Sequence, residues 1–284
     1  MSTLPELFNQ LRPLLPPDNA EHELLWLFSH YTELPLPELR RRLTRRDLAA
    51  GLNNEQETAI RAAVQQRAAG KPLQYITGLQ PFWDFDLIVS PDVLIPRWDS
   101  ETVLEQALQI LPPDAPCRVA DICTGSGAYA LTIKAERPMV EVHACDISAA
   151  ALAIARQNAQ KYNLPIQFHQ GDLLAALPPA TQQQYDLIVS NPPYVRADAD
   201  LPPDVQQEPA LALFGGADGL DFYRRLLNEG ATDYLLPGGF LLLEIGCEQA
   251  AVVAEILQQA GLTEIRVGQD LAGLDRWVQG RRPF

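Results

Sequence analysis

The amino-acid sequence predicts an α/β fold: an open, mainly parallel β-sheet with helices on both faces, preceded by a small helical bundle. Three observations support this fold. After about residue 100, strand-like and helix-like segments alternate along the chain. A glycine-rich turn joins the first of these strands to the helix that follows it. Before about residue 70, short apolar segments of helical periodicity are separated by prolines.

The composition limits the possible partners. The 284 residues include 47% hydrophobic and 20% charged side chains, which is typical of a globular protein. The net charge of −14 lies entirely in residues 78–284, because residues 1–77 carry nine basic and nine acidic side chains. This acidic excess excludes a generic electrostatic grip on nucleic acid, and its uneven distribution indicates two domains.

Signals for metal binding, secretion and membrane insertion are not found in the sequence. The four cysteines form no CxxC pair, and the four histidines lack metal-ligand spacing. The chain shows no signal peptide and no apolar run near the roughly 20 residues of a membrane helix. We therefore expect a cytoplasmic protein that binds neither a metal nor a membrane.

Residues 1–77 are predicted to form the helical domain, to which we assign substrate recognition. Apolar side chains recur at helical spacing over residues 4–11, 24–28 and 53–69, and Gly70 is a helix stop signal.

An arginine-rich run at residues 40–46 lies within this domain. It either binds a partner or forms a solvated helix face whose charges balance Glu33, Glu38 and Asp47.

Residues 78–100 are predicted to be a linking β-hairpin, because aromatic and β-branched residues alternate there and Pro91-Asp92 supplies a turn signal. Residues 101–284 then form the sheet domain. Its predicted strands cover residues 118–122, 140–145, 166–169, 185–190 and 240–245. Its predicted helices cover residues 128–136, 148–162, 220–234 and 248–260. Ligands of such sheets bind beyond the carboxyl ends of the strands.

A glycine-rich turn, Cys123-Thr-Gly-Ser-Gly127, follows the first predicted strand. Its glycines allow a tight turn and a close approach of the backbone to a ligand. Gly125, Gly127 and Ala130 also satisfy the relaxed dinucleotide fingerprint, so NAD is one possible ligand. A tight turn without any ligand is another interpretation.

Three aspartates favour S-adenosylmethionine over NAD. Asp146 ends the second strand, where a carboxylate can accept hydrogen bonds from two ribose hydroxyls, and Asp172 follows the third strand at the height of an adenine. Asp121 precedes the glycine turn and would support that loop or the amino group of the ligand. Such a cluster is a poor neighbour for an anionic pyrophosphate and a good one for a cationic sulfonium.

The fourth strand runs into Asn191-Pro-Pro-Tyr194. The prolines remove two backbone donors and direct their carbonyls, and asparagine offers both an acceptor and a donor. Asn191 Oδ1 and the Pro192 carbonyl would each accept a hydrogen bond from one N–H group of a planar amino group. The Tyr194 ring can pack against the same planar group. The motif serves methylation of adenine N6, cytosine N4 or a glutamine amide, and by itself it leaves this choice open.

Several further segments carry a resemblance to one family. They are residues 72–78, 93–97, 208–216, 218–224 and 243–246. Together with the two motifs they resemble the release-factor glutamine N5-methyltransferases, also called the HemK or PrmC family, over about residues 70–284. The earlier residues are similar only as a small helical domain.

This resemblance implies a methyltransferase dependent on S-adenosylmethionine, with a Rossmann-like, mostly parallel, seven-stranded sheet. It would methylate the glutamine of the Gly-Gly-Gln motif in peptide chain release factors, as a monomer that binds no nucleic acid. The implied cofactor-binding residues are Cys123, Thr124, Gly125, Ser126, Gly127, Asp146, Asp172, Leu173 and Asn191. The implied substrate-binding residues are Asn191, Pro192, Pro193 and Tyr194, of which Asn191, Pro192 and Tyr194 are catalytic.

Two positions depart from the family pattern. Cys123 stands where the family has glycine, and we expect it to fit with a negative φ and a side chain that faces the sheet, without acting as a nucleophile. Trp98-Asp-Ser-Glu101 replaces a Pro-Glu/Asp-Thr-Glu segment, and Trp98 would reshape the mouth of the site.

Three other functions compete with release-factor methylation. A glutamine methyltransferase acting on a ribosomal protein would differ in the segments beside the catalytic motif. An adenine methyltransferase acting on nucleic acid would need a basic or aromatic platform, which the acidic domain does not offer. A protein that only binds its ligands would carry a degenerate site, whereas all expected positions are intact.

Overall fold

The computed structural model describes residues 3–45 and 51–284. The contacts between residues divide the chain into two compact units. The first is Met1–Gly78 with Pro202–Gln207, and the second is Leu79–Leu201 with Glu208–Phe284. Within the described residues, no helix combines the length and apolar character needed to cross a membrane.

The first unit is helical, as predicted. Its helices are α1 (Leu4–Leu11), α2 (Ala20–Thr32), α3 (Leu36–Arg45), α4 (Asn54–Ala68) and α5 (Leu73–Thr77). Their apolar faces meet in one core, in which Leu7, Leu24, Phe28 and Ile60 are fully buried. The helix α4 starts at a capping box, because the Asn53 side chain accepts a hydrogen bond from Gln56 N at 2.8 Å.

The arginine-rich run lies partly on α3. Arg41 and Arg42 form ion pairs with Glu38 at 2.6 and 2.7 Å, so this carboxylate is shared between two guanidinium groups. The Arg45 side chain, Arg46 and Asp47 lie outside the described residues.

A β-hairpin opens the second unit. Its strands are β1 (Leu79–Phe82) and β2 (Phe85–Ile88), with Phe82 paired to Phe85. The hairpin reversal is at Trp83 and Asp84 and not at Pro91-Asp92. A turn does form at Pro91-Asp92, closed by a hydrogen bond from Val93 N to the Ser90 carbonyl at 3.1 Å, but it follows β2. Trp83 adopts the positive φ of 53° that a two-residue turn requires. Tertiary bonds hold it there: its backbone N–H donates to Glu101 at 2.8 Å and its indole to Glu136 at 2.9 Å.

The mostly parallel, seven-stranded sheet is confirmed. Its strands are β3 (Arg118–Ile122), β4 (Glu141–Asp146), β5 (Gln167–Gln170), β6 (Tyr185–Ser190), β7 (Leu235–Glu244), β8 (Thr263–Gln269) and β9 (Asp275–Arg281). The order is β5-β4-β3-β6-β7-β9-β8, and only β9 runs antiparallel to its neighbours β7 and β8. The edge strand β8 and its neighbour β9 were not predicted, and β8 is largely exposed and lacks the apolar character of the central strands.

Helices cover both faces of this sheet. They are α6 (Glu101–Ile110), α7 (Ala128–Glu136), α8 (Ala149–Lys161), α9 (Ala210–Leu213), α10 (Asp221–Asn228), α11 (Ala231–Tyr234) and α12 (Ala250–Gln259). Alternate strand residues enter different cores: Ile188 belongs to the core that includes α10 and α12, and Leu187 to the one that includes α6 and α7. The single helix predicted over residues 220–234 is wrong, because Gly230 adopts φ 90° and separates α10 from α11.

Candidate active site

A cavity of about 210 Å³ lies at the carboxyl ends of β3, β4 and β6, where the order of the parallel strands reverses. Most of the predicted site residues line it, namely Cys123, Thr124, Gly125, Ser126, Asp146, Asp172, Leu173, Asn191 and Pro193. In the described structure three others do not, namely Gly127, Pro192 and Tyr194. Residues that were not individually predicted as site residues complete the wall, among them Phe82, Leu94, Tyr129, Leu211, Phe222 and Arg225. Of these, Leu94, Leu211 and Phe222 lie in the family-like segments 93–97, 208–216 and 218–224.

The two glycines of the predicted cofactor loop, residues 123–127, have different structural roles. Gly125 lines the cavity with φ 55°, a left-handed conformation that glycine adopts without strain. Gly127, with φ 86°, precedes α7 and lies against neighbouring helices. A Cβ atom at Gly127 would lie 2.6 Å from Leu131 Cδ1 and 3.2 Å from Ala155 Cβ. Gly127 therefore serves close packing of α7 and α8, behind the cavity wall.

The backbone of Cys123 differs from the predicted negative φ. Its φ is 61°, in the left-handed region and not negative. The loop is drawn towards β4 by a hydrogen bond from Thr124 N to the Cys145 carbonyl at 2.9 Å, so tertiary bonding outweighs the preference of a residue with a Cβ atom. The side chain does pack against the core of the sheet. Burial raises the pKa of the Cys123 thiol well above its usual value, which leaves it protonated and a poor nucleophile.

Asp146 is positioned by two backbone N–H groups. Its Oδ2 accepts from Gly125 N and its Oδ1 from Ser148 N, both at 2.9 Å. Each oxygen can accept a further hydrogen bond, and the residue lines the cavity. Burial raises the pKa of Asp146, against the effect of these backbone bonds. The carboxylate is thus oriented before any ligand arrives.

Asp121 supports the cofactor loop from beneath. It is 1% exposed, and its Oδ2 accepts from the Thr124 hydroxyl at 2.5 Å and from Ala130 N at 3.2 Å. Burial raises the pKa of Asp121 to about 7, with a smaller contribution from the charge of Asp146, while the Thr124 bond opposes the shift. Of the two roles considered for Asp121, loop support is the one that these contacts describe.

Asp172 is not an isolated negative charge. The Arg225 guanidinium pairs with its Oδ2 at 2.7 Å and with Glu229 at 3.0 Å, and it lies 5.8 Å from the centre of the Phe222 ring. The predicted acidic cluster is therefore partly neutralised at Asp172. Arg225 directly follows the family-like segment 218–224, which was the one signal available for it.

Asn191 is available to a ligand. It follows β6, it is partly exposed, and it lines the cavity beside the cofactor loop. Within residues 3–45 and 51–284 its side-chain amide has no hydrogen-bond partner. The strand before it is tied to β3, because the Ser190 hydroxyl donates to the Ile122 carbonyl at 2.6 Å. The next two residues, Pro192 and Pro193, are buried.

Tyr194 is held by Glu244, which lies in the family-like segment 243–246, and by Gln249, which the sequence did not single out. Its hydroxyl donates to Glu244 at 3.2 Å, and its carbonyl accepts from Gln249 Nε2 at 3.0 Å. Burial raises the pKa of the Tyr194 hydroxyl, and the adjacent Glu244 charge adds to this effect. The tyrosine is thus anchored to β7 and to the segment before α12.

The buried carboxylate of Glu208 joins two segments that lie before and after Asn191-Pro-Pro-Tyr194 in the sequence. Glu208 accepts a hydrogen bond from Ile95 N at 3.0 Å and another from the Arg97 guanidinium. The neighbouring Pro96 and Pro209 both line the cavity, so this pair fixes part of its wall. Trp98, the departure from the family pattern, is 59% exposed and does not line the cavity in the described structure.

Comparison with known proteins identifies related families and a related fold. A family model described as "Methyltransferase small domain" matches residues 100–208, and one described as "PrmC N-terminal domain" matches residues 7–78. The structure of a methyltransferase from Pyrococcus furiosus, 19% identical, superposes with a TM-score of 0.54 over 79% of this chain and 98% of that one, which shows the fold alone.

Curated relatives are much more similar in sequence. A protein of Xylella fastidiosa (strain 9a5c) named release factor glutamine methyltransferase is 46% identical over 228 residues, or 79% of this chain and 82% of that protein. A protein of the same name from Bordetella pertussis is 41% identical over 263 residues, which cover 90% of each chain. With this identity over most of both chains, and with the cofactor loop and Asn191 meeting in one cavity, the chain belongs to the release factor glutamine methyltransferase family.

Proposed function

We propose that this protein transfers a methyl group from S-adenosylmethionine to the side-chain amide nitrogen (N5) of the glutamine in the Gly-Gly-Gln motif of peptide chain release factors. The name of its relatives supports this activity. The structural observation that carries it is the single cavity in which the loop of Gly125, the carboxylate of Asp146 and the amide of Asn191 come together.

The residues of the cavity suit S-adenosylmethionine. Asp146 offers preoriented oxygens for the ribose hydroxyls, and Leu173 and Phe222 offer apolar surface near Asp172 for the adenine. When bound, this cofactor supplies a methyl group made electrophilic by the neighbouring sulfonium charge. The Asp146 carboxylate gives the site a negative charge that favours such a cation.

The catalytic motif then has to orient a planar amide. Asn191 Oδ1 and the Pro192 carbonyl each accept a hydrogen bond from one of the two N–H groups of the substrate glutamine. These two bonds orient the nitrogen for in-line transfer. No strong base is required before transfer, because the proton can leave the nitrogen afterwards. The buried Pro192 and Pro193 keep this segment stiff, since their rings fix φ.

The proposal also assigns a role to each part of the chain. Residues 1–77 contribute to recognition of the release factor, residues 78–100 link them to the methyltransferase domain, and residues 101–284 carry the chemistry. The protein acts as a monomer in the cytoplasm and does not bind nucleic acid directly. The charge of −14 supports this last point, because phosphate binding relies on Lys and Arg.

The test is methylation in vitro with a radioactively labelled cofactor. Release factor, a release factor with the loop glutamine changed to alanine, a glutamine-containing ribosomal protein and DNA are offered separately. We expect label on the unaltered release factor only. Label on DNA, on the ribosomal protein, or equally on both release factors would contradict the proposed substrate.

A further inference from the structure

A buried carboxylate behind the catalytic motif joins two tyrosines from different elements. Glu244, the last residue of β7, is 1% exposed. One of its carboxylate oxygens accepts a hydrogen bond from the Tyr194 hydroxyl at 3.2 Å, and the other accepts one from the Tyr129 hydroxyl. Tyr194 closes the catalytic motif, whereas Tyr129 lies in the first turn of α7, directly after the cofactor loop. One side chain thus connects the two motifs of the site.

The surroundings of Glu244 satisfy both oxygens of its buried carboxylate with hydrogen bonds. A buried carboxylate is costly unless hydrogen bonds satisfy its oxygens, and both tyrosines supply them. Burial raises the pKa of Glu244, while the Tyr129 bond and the charge of Arg276 oppose this shift. Burial also raises the pKa values of Tyr129 and Tyr194, so both hydroxyls keep their protons and remain donors.

The backbone around this link is fixed as well. The Tyr223 hydroxyl donates to the carbonyl of Glu244 at 2.8 Å. The Gln249 side chain accepts from Gly246 N at 2.9 Å and donates to the carbonyl of Tyr194 at 3.0 Å. Both the hydroxyl and the carbonyl of Tyr194 are therefore fastened, although the Asn191 amide, three residues earlier, is left for a ligand.

We propose that Glu244 is a positioning residue for methyl transfer: by binding Tyr194 and Tyr129 together, it sets the acceptor groups of the catalytic motif against the cofactor loop. This inference rests on the proposed function. Glu244 itself is outside the set of residues that line the cavity in the described structure, so it acts through the two tyrosines.

Glu244→Gln tests the link with little change of shape. The amide turns one oxygen acceptor into a donor, which opposes a tyrosine hydroxyl that is also a donor. We expect kcat for release-factor methylation to fall about 10–100-fold, since small misplacements of reacting groups have effects of this order. The KM for release factor and the Kd for S-adenosylhomocysteine should stay within about threefold of wild type, because no residue that contacts either ligand is changed.

Tyr194→Phe removes only the hydroxyl at the other end of the link, and it should lower kcat in the same way. If the two residues act as a unit, the double variant is no slower than the slower single variant. The matched control is Tyr185→Phe. Tyr185 is a fully buried tyrosine at the start of β6 whose hydroxyl has no hydrogen-bond partner within the described chain, so kcat should not change.

Each outcome decides a different point. An active wild type together with unchanged kcat in Glu244→Gln overturns the positioning role. Losses that multiply in the double variant also overturn it, because the residues would then act separately. If Glu244→Gln fails to fold, Tyr194→Phe decides alone, and unchanged kcat in that variant overturns the role. A wild type without activity on release factor contradicts the proposed function instead.

Discussion

The carboxylate of Asp146 and the backbone N–H of Gly125 are joined by a hydrogen bond of 2.9 Å, which connects the end of β4 to the loop after β3. The second oxygen of Asp146 is bound to Ser148 N at the start of α8, also at 2.9 Å. The residue proposed to bind the ribose is therefore a structural part of the cofactor loop. Its substitution should affect both the affinity for the cofactor and the stability of the fold.

Asp146→Asn keeps one oxygen and turns an NH₂ group towards a backbone N–H. We expect the Kd for S-adenosylhomocysteine to rise about 10–100-fold and the free energy of unfolding to fall by about 1–3 kcal/mol, because a buried donor loses its acceptor. Calorimetric titration and urea denaturation measure the two effects. Asp84→Asn, an exposed position in the hairpin turn, should leave both unchanged. Wild-type affinity in Asp146→Asn would contradict the ribose assignment.

Asn191→Ala should lower kcat/KM for release factor about 10²–10³-fold, or about 3–4 kcal/mol of transition-state stabilisation. The reason is that its amide, left without a partner within the described chain, would hold the substrate nitrogen. Steady-state methylation assays give kcat/KM, and titration with S-adenosylhomocysteine gives the cofactor affinity, which should stay near wild type. A loss of cofactor affinity as large as the loss of kcat/KM would show that Asn191 acts by binding the cofactor and not by orienting the substrate amide.

Asp121 should make the free energy of unfolding depend on pH. Its pKa is about 7 in the folded protein against an ordinary value of 3.8, so between these pH values the folded state binds a proton that the unfolded state has lost. Its contribution to stability is present at low pH and is lost as pH rises towards 7, by up to about 1.4 kcal/mol per pH unit.

Asp121→Asn removes this contribution. Urea denaturation from pH 4.5 to 8 should show the variant gaining stability relative to wild type as pH rises to about 7, and no further gain above that. Comparison with Asp84→Asn controls for the loss of one negative charge. A difference between Asp121→Asn and wild type that stays constant with pH would show that Asp121 does not titrate in this range.

Gly127→Ala and Gly261→Ala separate backbone strain from steric overlap. Both glycines have positive φ, 86° and 83°, so alanine costs about 1 kcal/mol or more at either position. Only Gly127 lacks space, since its added Cβ would lie 2.6 Å from Leu131 Cδ1, whereas nothing lies within 4 Å at Gly261. We expect Gly127→Ala to lose about 1–3 kcal/mol more in urea denaturation. Equal losses would mean that the Leu131 side chain can move aside without cost.

Cys123→Gly should be more stable than Cys123→Ala by about 1 kcal/mol. Both variants lose the thiol, but only glycine adopts φ 61° without strain, and this gain exceeds the larger entropy of glycine in the unfolded chain. Denaturation midpoints compare the two variants directly. Both should retain methyltransferase activity, because the protonated thiol has no proposed role in the chemistry. Inactivity of both variants would show that the Cys123 sulfur is needed.

Local patterns in the sequence were enough for the central part of the fold. The bounds of β3, α7 and β6 coincide with the predicted residues 118–122, 128–136 and 185–190. These elements follow from periodicity and from glycine and proline signals, which depend on neighbouring residues only. Because parallel strands bring their carboxyl ends to one edge, the residues after β3 and β6 were also expected to meet, and the cavity unites them.

The sequence by itself therefore determined the fold class, the two motifs and the edge of the sheet at which they lie. Only the tertiary structure decided which distant side chains complete the site: Arg225 on Asp172, 53 positions away, and Glu244 on Tyr129, 115 positions away. It also decided the positive φ of Cys123, through a bond from the loop to β4. The physical reason is that hydrogen bonds and ion pairs between remote residues depend on how whole elements pack, which no local period encodes.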